Sequence, residues 1–261
     1  MPQQLEGTVA IITGAGSGIG RHMSLAFAAE GARVAVCDIA EDRARETAQM
    51  IAQAGGDALA IGMDVTDEAA VNDGVDQTVA RWGRLDTMVA NAGIQIVHPV
   101  EDFPYEEFRK VVDIHLHGSF LLTKASVRHM YPQKSGSLIY MGSVHSHEPS
   151  PLKSAYVAAK HAILGLARVM AREGGPHGVR SNIICPGFVR TPLVEKQIPE
   201  QARDLNISEQ DVVEKIMLGR TVDHEFTTLQ DVSDVAVFLA GFRSNALTGQ
   251  SIVPSHGWYM A

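Results

Sequence analysis

Within the stretch Ser143 to Lys160, Ser143, Tyr156 and Lys160 set a hydroxyl, a phenol and an ammonium in an order suited to trading protons with an alcohol. Tyr156 and Lys160 are four residues apart in a run that reads as helix, so they share a face. An ammonium near a phenol favours the phenolate. It draws a reference pKa of about 10 toward the operating pH, where a general acid/base works best. Ser143 follows the apolar run Ser137 to Met141, so a strand end feeding a loop brings its hydroxyl beside the phenol. A Tyr and a Lys at this spacing are more often plain surface neighbours, and the pair gains weight only from the start of the chain.

There the β-branched run Thr8 to Ile12 leads into Gly14, Gly16, Gly18 and Gly20, spaced Thr-Gly-x-x-x-Gly-x-Gly rather than G-x-G-x-x-G. Absent side chains permit a tight turn and close backbone approach to a pyrophosphate at the next helix's N-terminus. A glycine turn alone is a weak signal; one that ends a strand and opens a helix is stronger. Asp38 closes the second strand-like run, where a carboxylate accepts from a ribose diol and repels a 2′-phosphate, favouring NAD over NADP. Its alternative is a turn or N-cap role. Asp64, after the third run, reads equally as a partner for an adenine edge or as a cap.

Stepping outward, the elements that must hold these groups alternate. Strand-like runs fall at Arg33–Cys37, Asp57–Met63, Thr87–Ala90, Ser137–Met141 and Val179–Cys185, with helix-like segments between them. One of these, Tyr105 to Tyr131, is expected to break near Gly118. Near-continuous apolar strands between helices predict an α/β fold: a single doubly wound Rossmann-type domain with a parallel sheet, spanning residues 1–261. A polar, strandless insert at about 189–219 precedes a helix Leu229–Leu239 and a last strand Gln250–Pro254. Set after a strand's carboxyl end, the insert is expected to form a helical substrate lid.

The 261 residues carry a net charge of −8 and no long basic run, which argues against nucleic acid as a partner. No apolar stretch reaches the roughly 18 residues of a membrane span, and Met1 to Ala10 lacks a signal pattern, so a cytoplasmic protein without a membrane is expected. Cys37 and Cys185 sit in apolar runs and read as buried thiols. His115-x-His117 and His145-x-His147 do not share a helix face and lack a third ligand, so no metal site is expected.

With Thr13 to Gly20, Asn91-Ala92-Gly93, Ser143, Tyr156-x-x-x-Lys160 and Pro186-Gly187 in order, the chain resembles the short-chain dehydrogenase/reductase family along essentially its whole length. The resemblance implies that Tyr156 is the acid/base, that Lys160 lowers its pKa and binds the nicotinamide ribose, and that Ser143 orients the substrate oxygen. It also implies an NAD groove lined by Gly14, Ser17, Gly18, Ile19, Gly20, Asp38, Asp64, Val65, Asn91, Gly93, Tyr156, Lys160, Pro186, Val189 and Thr191, with Thr191 reaching the carboxamide. One departure stands out: His115 falls where relatives carry an Asn that helps pass protons from the lysine. An imidazole can donate and accept, so His115 reads as a relay or as a hydrogen-bonded core histidine.

Within the family, the chain looks like bacterial D-3-hydroxybutyrate dehydrogenases, notably at Gln95, His145, Lys153 and Pro186 to Ile198. That likeness implies that Gln95, His145, Lys153 and Gln197 hold a substrate carboxylate beside Ser143 and Tyr156. The residues read alone agree, since Lys153 and His145 flank the Ser143-to-Tyr156 loop and a small anion needs such donors. Without the likeness, Lys153 would read as a solvated lysine at a helix start and His145 as a loop histidine. Phe188 stands where those enzymes typically have Trp, and Trp258 is placed to close the pocket over a methyl group. The expected activity is interconversion of D-3-hydroxybutyrate and acetoacetate. Its alternatives are an NAD-dependent dehydrogenase of a cyclic alcohol, polyol or steroid, and a non-catalytic dinucleotide-binding protein. Relatives are commonly homotetramers built through the two long helices, which sets that expectation here.

Overall fold

The structure, a computed structural model, describes residues 3–260; the first two residues of the amino-terminal stretch inspected for a signal pattern lie outside the described residues. Seven strands form one sheet: β1 (Val9–Thr13), β2 (Arg33–Asp38), β3 (Ala58–Gly62), β4 (Thr87–Ala90), β5 (Gly136–Met141), β6 (Val179–Ile184) and β7 (Ser251–Ile252). Every pairing is parallel and the order is β3-β2-β1-β4-β5-β6-β7. Strand order therefore reverses between β1 and β4, and the crevice at their carboxyl ends is where such sheets take ligands.

Alternation along β1 explains why its residues are apolar throughout. Val9 and Ile11 join one core, Ala10 and Ile12 the other, and all are buried. The first core is covered by α3 (Glu68–Trp82), α5 (Gly118–Gln133) and α6 (Ser154–Gly174), through Val71, Val75, Leu122 and Ile163. The second is covered by α1 (Gly18–Ala29), α2 (Glu41–Gln53) and α9 (Leu229–Gly241), through Met23, Phe27, Ile51 and Val232. A strand wetted on neither face needs no polar side.

The expected break near Gly118 is a widening instead. Helix α4 (Tyr105–Val112) runs through one wide turn, Asp113–His117, directly into α5. Such turns add a residue to the helical ring and often mark functional sites. Gly118 permits the close approach here, because a Cβ would stand 2.8 Å from Cγ2 of Val65. The last strand is shorter than expected, since it pairs only with Ile183 and Ile184 of β6. After β6 the chain forms α7 (Pro192–Leu205), the short α8 (Glu209–Asp211) and a second wide turn, Val212–Met217. This segment buries its own cluster, including Val194, Ile198, Val212 and Met217, apart from the two sheet cores.

Candidate active site

A cavity of about 510 Å³ opens at the carboxyl ends of the strands. At one end, β1 turns at Gly14, whose φ of +62° suits glycine and whose Cβ would lie 2.9 Å from Cα of Ala92. Asn91 fastens the turn by donating from Nδ2 to the carbonyl oxygens of Thr13 (2.9 Å) and Gly14 (3.3 Å). The Thr13 hydroxyl accepts from the backbone N–H groups of Asn91 and Ala92. Ser17 caps α1 without a side-chain hydrogen bond, so the helix's first N–H groups remain for an anion. Asp38 accepts from the backbone N–H of Gly16 and of Ala40, both at 2.9 Å, and faces the cavity. A bare turn, a free helix start and a fixed carboxylate together fit the pyrophosphate and ribose of a nicotinamide dinucleotide.

At the centre, the loop after β5 and the start of α6 meet. Ser143 caps a short 3₁₀ turn, accepts from the N–H of His145 (3.2 Å), and sets its hydroxyl near the phenol of Tyr156. Burial pushes that phenol up to about 12, with the nearby Ser143 hydroxyl pulling the other way. Lys160 is 4 % exposed, and its Nζ donates to the carbonyl of Met141 at 2.5 Å while lying 5.4 Å from the centre of the Tyr156 ring. Burial draws its ammonium down to about 8. The depression of the phenol expected from Lys160 is thus not found, because desolvation dominates.

His115 lies in the wide turn, 3 % exposed, edge-on to Tyr156 with ring centres 5.4 Å apart. Its Nε2 meets the Ile94 carbonyl at 2.7 Å, and its Nδ1 is buried without a hydrogen-bond partner. Burial first, then the charge of Lys160, draw its pKa to about 3, so the ring is neutral.

The far end is lined by Gln95, His145, Lys153, Phe188, Gln197 and Trp258. Lys153 is 7 % exposed, and burial alone draws it to about 8; no acid pairs with it among the described residues. Its Nζ sits 5.3 Å from the centre of the Phe188 ring, which stacks on Trp258 at 5.2 Å. Nε2 of Gln95 and Oε1 of Gln197 are buried and unpartnered. His145 is kept neutral by burial and by Lys153, with its pKa near 4. An unpaired cation and idle amide groups around one space are what a small carboxylate would satisfy.

Every residue expected at the site lines this cavity except Gly20, which works from behind. A Cβ there would meet the Gly14 carbonyl oxygen at 2.3 Å, so Gly20 lets α1 close on the turn. Asp64 lines the cavity, but its Oδ1 accepts from the N–H and hydroxyl of Thr66, and the cap of α3 is Asp67. Thr191 caps α7, accepting from Val194. His147 is not beside His145, since its ring bonds the Ser251 hydroxyl and stacks on Tyr259, while His117 pairs with Asp113. Both cysteines are free and buried.

Sequence reasoning missed Arg43 and the apolar wall of Ile39, Met63, Ile94 and Ile114. It also missed the anchor in which Glu148 accepts from both Arg220 and Nε1 of Trp258. Arg43 was within reach of inspection, five residues beyond Asp38 on the helix that abuts the glycine turn. Glu148 and Trp258 are separated by 110 residues, and nothing in either local segment marks the pair.

Residues 8–202 match the model of the short chain dehydrogenases. The chain is 38% identical over 250-odd residues to the D-beta-hydroxybutyrate dehydrogenase of Rhizobium meliloti, covering 95% of this chain and 97% of that one. It is 34% identical to a 3-oxoacyl-[acyl-carrier-protein] reductase of Thermotoga maritima, covering 95% and 96%. A crystal structure of a short-chain type dehydrogenase/reductase from Mycobacterium marinum superposes with a TM-score of 0.88 at 35% identity, covering 98% and 97%.

Proposed function

Because the chain belongs to the short chain dehydrogenase family, we propose that it is an NAD-dependent enzyme interconverting D-3-hydroxybutyrate, or a similarly short 3-hydroxy acid, with its 3-oxo acid. The observation that carries this reading is Lys153, a buried ammonium without an acid partner among the described residues, facing the cavity that also holds Ser143 and Tyr156. A neutral cyclic alcohol, polyol or steroid would leave that cation desolvated and uncompensated. NAD rather than NADP is supported by Asp38, whose carboxylate opposes a 2′-phosphate.

When bound, the nicotinamide would take up or return the hydride and, oxidised, would supply a positive charge that favours the phenolate of Tyr156. Gly14, Ser17, Gly18 and Ile19 would hold the pyrophosphate, Asp38 the adenosine diol, and Asp64 and Val65 the adenine. Asn91, Gly93, Pro186, Val189 and Thr191 border the path to the centre.

Lys153, Gln95, His145 and Gln197 hold the carboxylate, while Phe188 and Trp258 enclose the methyl end. This fixes the carbon bearing the alcohol beside Ser143, whose hydroxyl orients the substrate oxygen. Tyr156 then takes the alcohol proton as phenolate, and in the reverse direction donates it. Lys160, held by Met141 and drawn down to about 8, can share that proton near neutral to mildly basic pH.

The segment 189–219 acts as a lid in this reading, since it contributes Val189, Thr191 and Gln197 to the cavity while burying a cluster of its own. Homotetramer formation through α5 and α6 is supported by Phe120 and Val169, each half exposed on those helices, and would show in sedimentation. A cytoplasmic location goes with it; none of the described helices is long and apolar enough to cross a membrane.

Turnover of NAD with D-3-hydroxybutyrate is the test. Reduction of NAD with an uncharged secondary alcohol and none with the acid would sink the substrate and leave the family.

A further inference from the structure

We propose that Glu148 is a positioning residue that sets chain-length selectivity: it latches Trp258 over the acid pocket, so that a four-carbon 3-hydroxy acid is enclosed and longer ones are turned away. This rests on the 3-hydroxy acid reading and adds to it what holds the closing ring in place.

Three segments distant in sequence meet at this carboxylate. Glu148 lies in the loop between β5 and α6, Arg220 just past the second wide turn, and Trp258 in the tail. Glu148 accepts from both terminal nitrogens of Arg220 and, at 3.2 Å, from Nε1 of Trp258. The same guanidinium lies 5.9 Å from the centre of the indole, so anion and cation hold one ring by its edge and its face. A lone exposed ion pair would be worth little. Here the Glu148 side chain is 19 % exposed, and its backbone carbonyl oxygen lies 3.3 Å from Nδ1 of His145. One residue thus touches a wall of the pocket and the ring that closes it.

The tail itself arrives with little play. The N–H of Trp258 donates to the Ser255 carbonyl at 3.0 Å, the N–H of Val222 donates to the His256 carbonyl at 2.9 Å, and His256 pairs with Asp223. His256 and Gly257 are both left-handed, with φ of +51° and +70°; at a non-glycine such a backbone persists where its surroundings hold it. Tyr259 stacks at 4.6 Å on His147, the neighbour of Glu148. What remains to the indole is rotation about its own side-chain bonds, and the Nε1 bond to Glu148 removes that freedom. Held so, Trp258 stacks on Phe188 at 5.2 Å and stands edge-on to His145 at 5.6 Å. An added methylene must then displace a ring instead of lying beside it, and an apolar pocket distinguishes one methylene by about 10- to 200-fold.

Glu148→Met and Glu148→Gln separate the latch from the charge. Both remove the anion facing Arg220, but only glutamine keeps an acceptor for Nε1. In Glu148→Met the ratio of kcat/KM for D-3-hydroxyhexanoate to that for D-3-hydroxybutyrate should rise about tenfold or more. In Glu148→Gln it should stay within about threefold of wild type. The chain has two tryptophans, and Trp82 bonds Asp57 away from the cavity, so Trp82→Phe leaves Trp258 as the sole indole emitter. In that background Trp258 should be shielded from acrylamide with Glu or Gln at 148 and quenched more strongly with Met. A selectivity ratio equal in all three proteins, or a Trp258 as open to acrylamide in the wild type as in free solution, would overturn the proposal. The two failures differ. If the wild type oxidises neither acid, the substrate reading falls and the selectivity with it, whereas activity on the four-carbon acid with an unmoved ratio overturns the latch alone.

Discussion

The two ends of the cavity are built on opposite plans. Around the glycine turn, polar groups answer one another: Asn91 bonds Thr13 and Gly14, Thr13 bonds Asn91 and Ala92, and Asp38 bonds Gly16 and Ala40. Around Ser143 to Trp258 several do not, although Lys160 bonds Met141 and Trp258 bonds Glu148. Among the described residues, Gln95, His115 and Gln197 each keep a buried atom unpartnered, and Lys153 is a buried cation without an acid. Since unmet polar burial costs stability, the first end has its side chains satisfied and offers a ligand the backbone N–H groups at the start of α1, whereas the second holds buried side-chain hydrogen-bonding capacity for one.

The hardest test of this contrast is where the two ends meet. Tyr156→Phe removes only a hydroxyl, so dinucleotide binding at the first end should persist while turnover falls about a thousandfold. Fluorescence titration with NADH beside initial rates reads both, and undiminished NADH production would break the proposed chemistry.

Lys153→Met comes next, and its two effects should have opposite signs. Losing a charge-assisted contact should raise KM for the acid about 10- to 100-fold with little change for a neutral alcohol. Removing an unpaired buried cation should at the same time raise the thermal midpoint, by an amount equivalent to about 1–3 kcal/mol. A lower midpoint would mean that the ammonium is satisfied in solution and that this end is not idle after all.

Gly20→Ala sharpens the contrast from the other side. The added methyl meets the Gly14 carbonyl oxygen at 2.3 Å, and overfilling of this kind costs about 1–3 kcal/mol. Thermal unfolding should fall by several degrees and KM for the dinucleotide should rise. The ratio of acid to neutral-alcohol turnover should stay put.

These differences also decide how much the sequence discloses. Strands β1, β2, β4, β5 and β6 were legible because both faces are largely buried, so that Val9-Ala10-Ile11-Ile12 carries its own signature, whereas β3, at the sheet edge, is only partly buried. The glycine turn, Asp38, Ser143, Tyr156 and Lys160 were legible because each sits at a strand end or one helical turn away. What stayed hidden depends on contact between distant segments. The widening at Asp113–His117 follows from Gly118 against Val65, and the anchor at Glu148 joins residues 110 apart. The phenol's upward shift was hidden for the same reason: the Tyr156-Lys160 spacing shows a cation nearby, but only the fold shows that desolvation outweighs it. Gly20 was read as a ligand contact because spacing cannot tell a glycine that faces a phosphate from one that faces a carbonyl.

A smaller effect follows from pH, with the sign set by burial. Lys153 is drawn from the usual 10.5 to about 8, so in the folded protein the ammonium is present below that value and lost above it. Between about 8 and 10.5 the unfolded chain holds a proton that the folded one lacks, and this residue's contribution to stability improves as pH rises through that window. Acid binding runs the other way, because a carboxylate favours the ammonium. Its KM should be flat below about pH 8 and rise toward tenfold per pH unit above it. Lys160 lies at about 8 too, but its proton serves the reacting oxygen of any alcohol. A rise shared equally by acid and neutral alcohol would therefore belong to Lys160, and a rise confined to the acid would belong to Lys153.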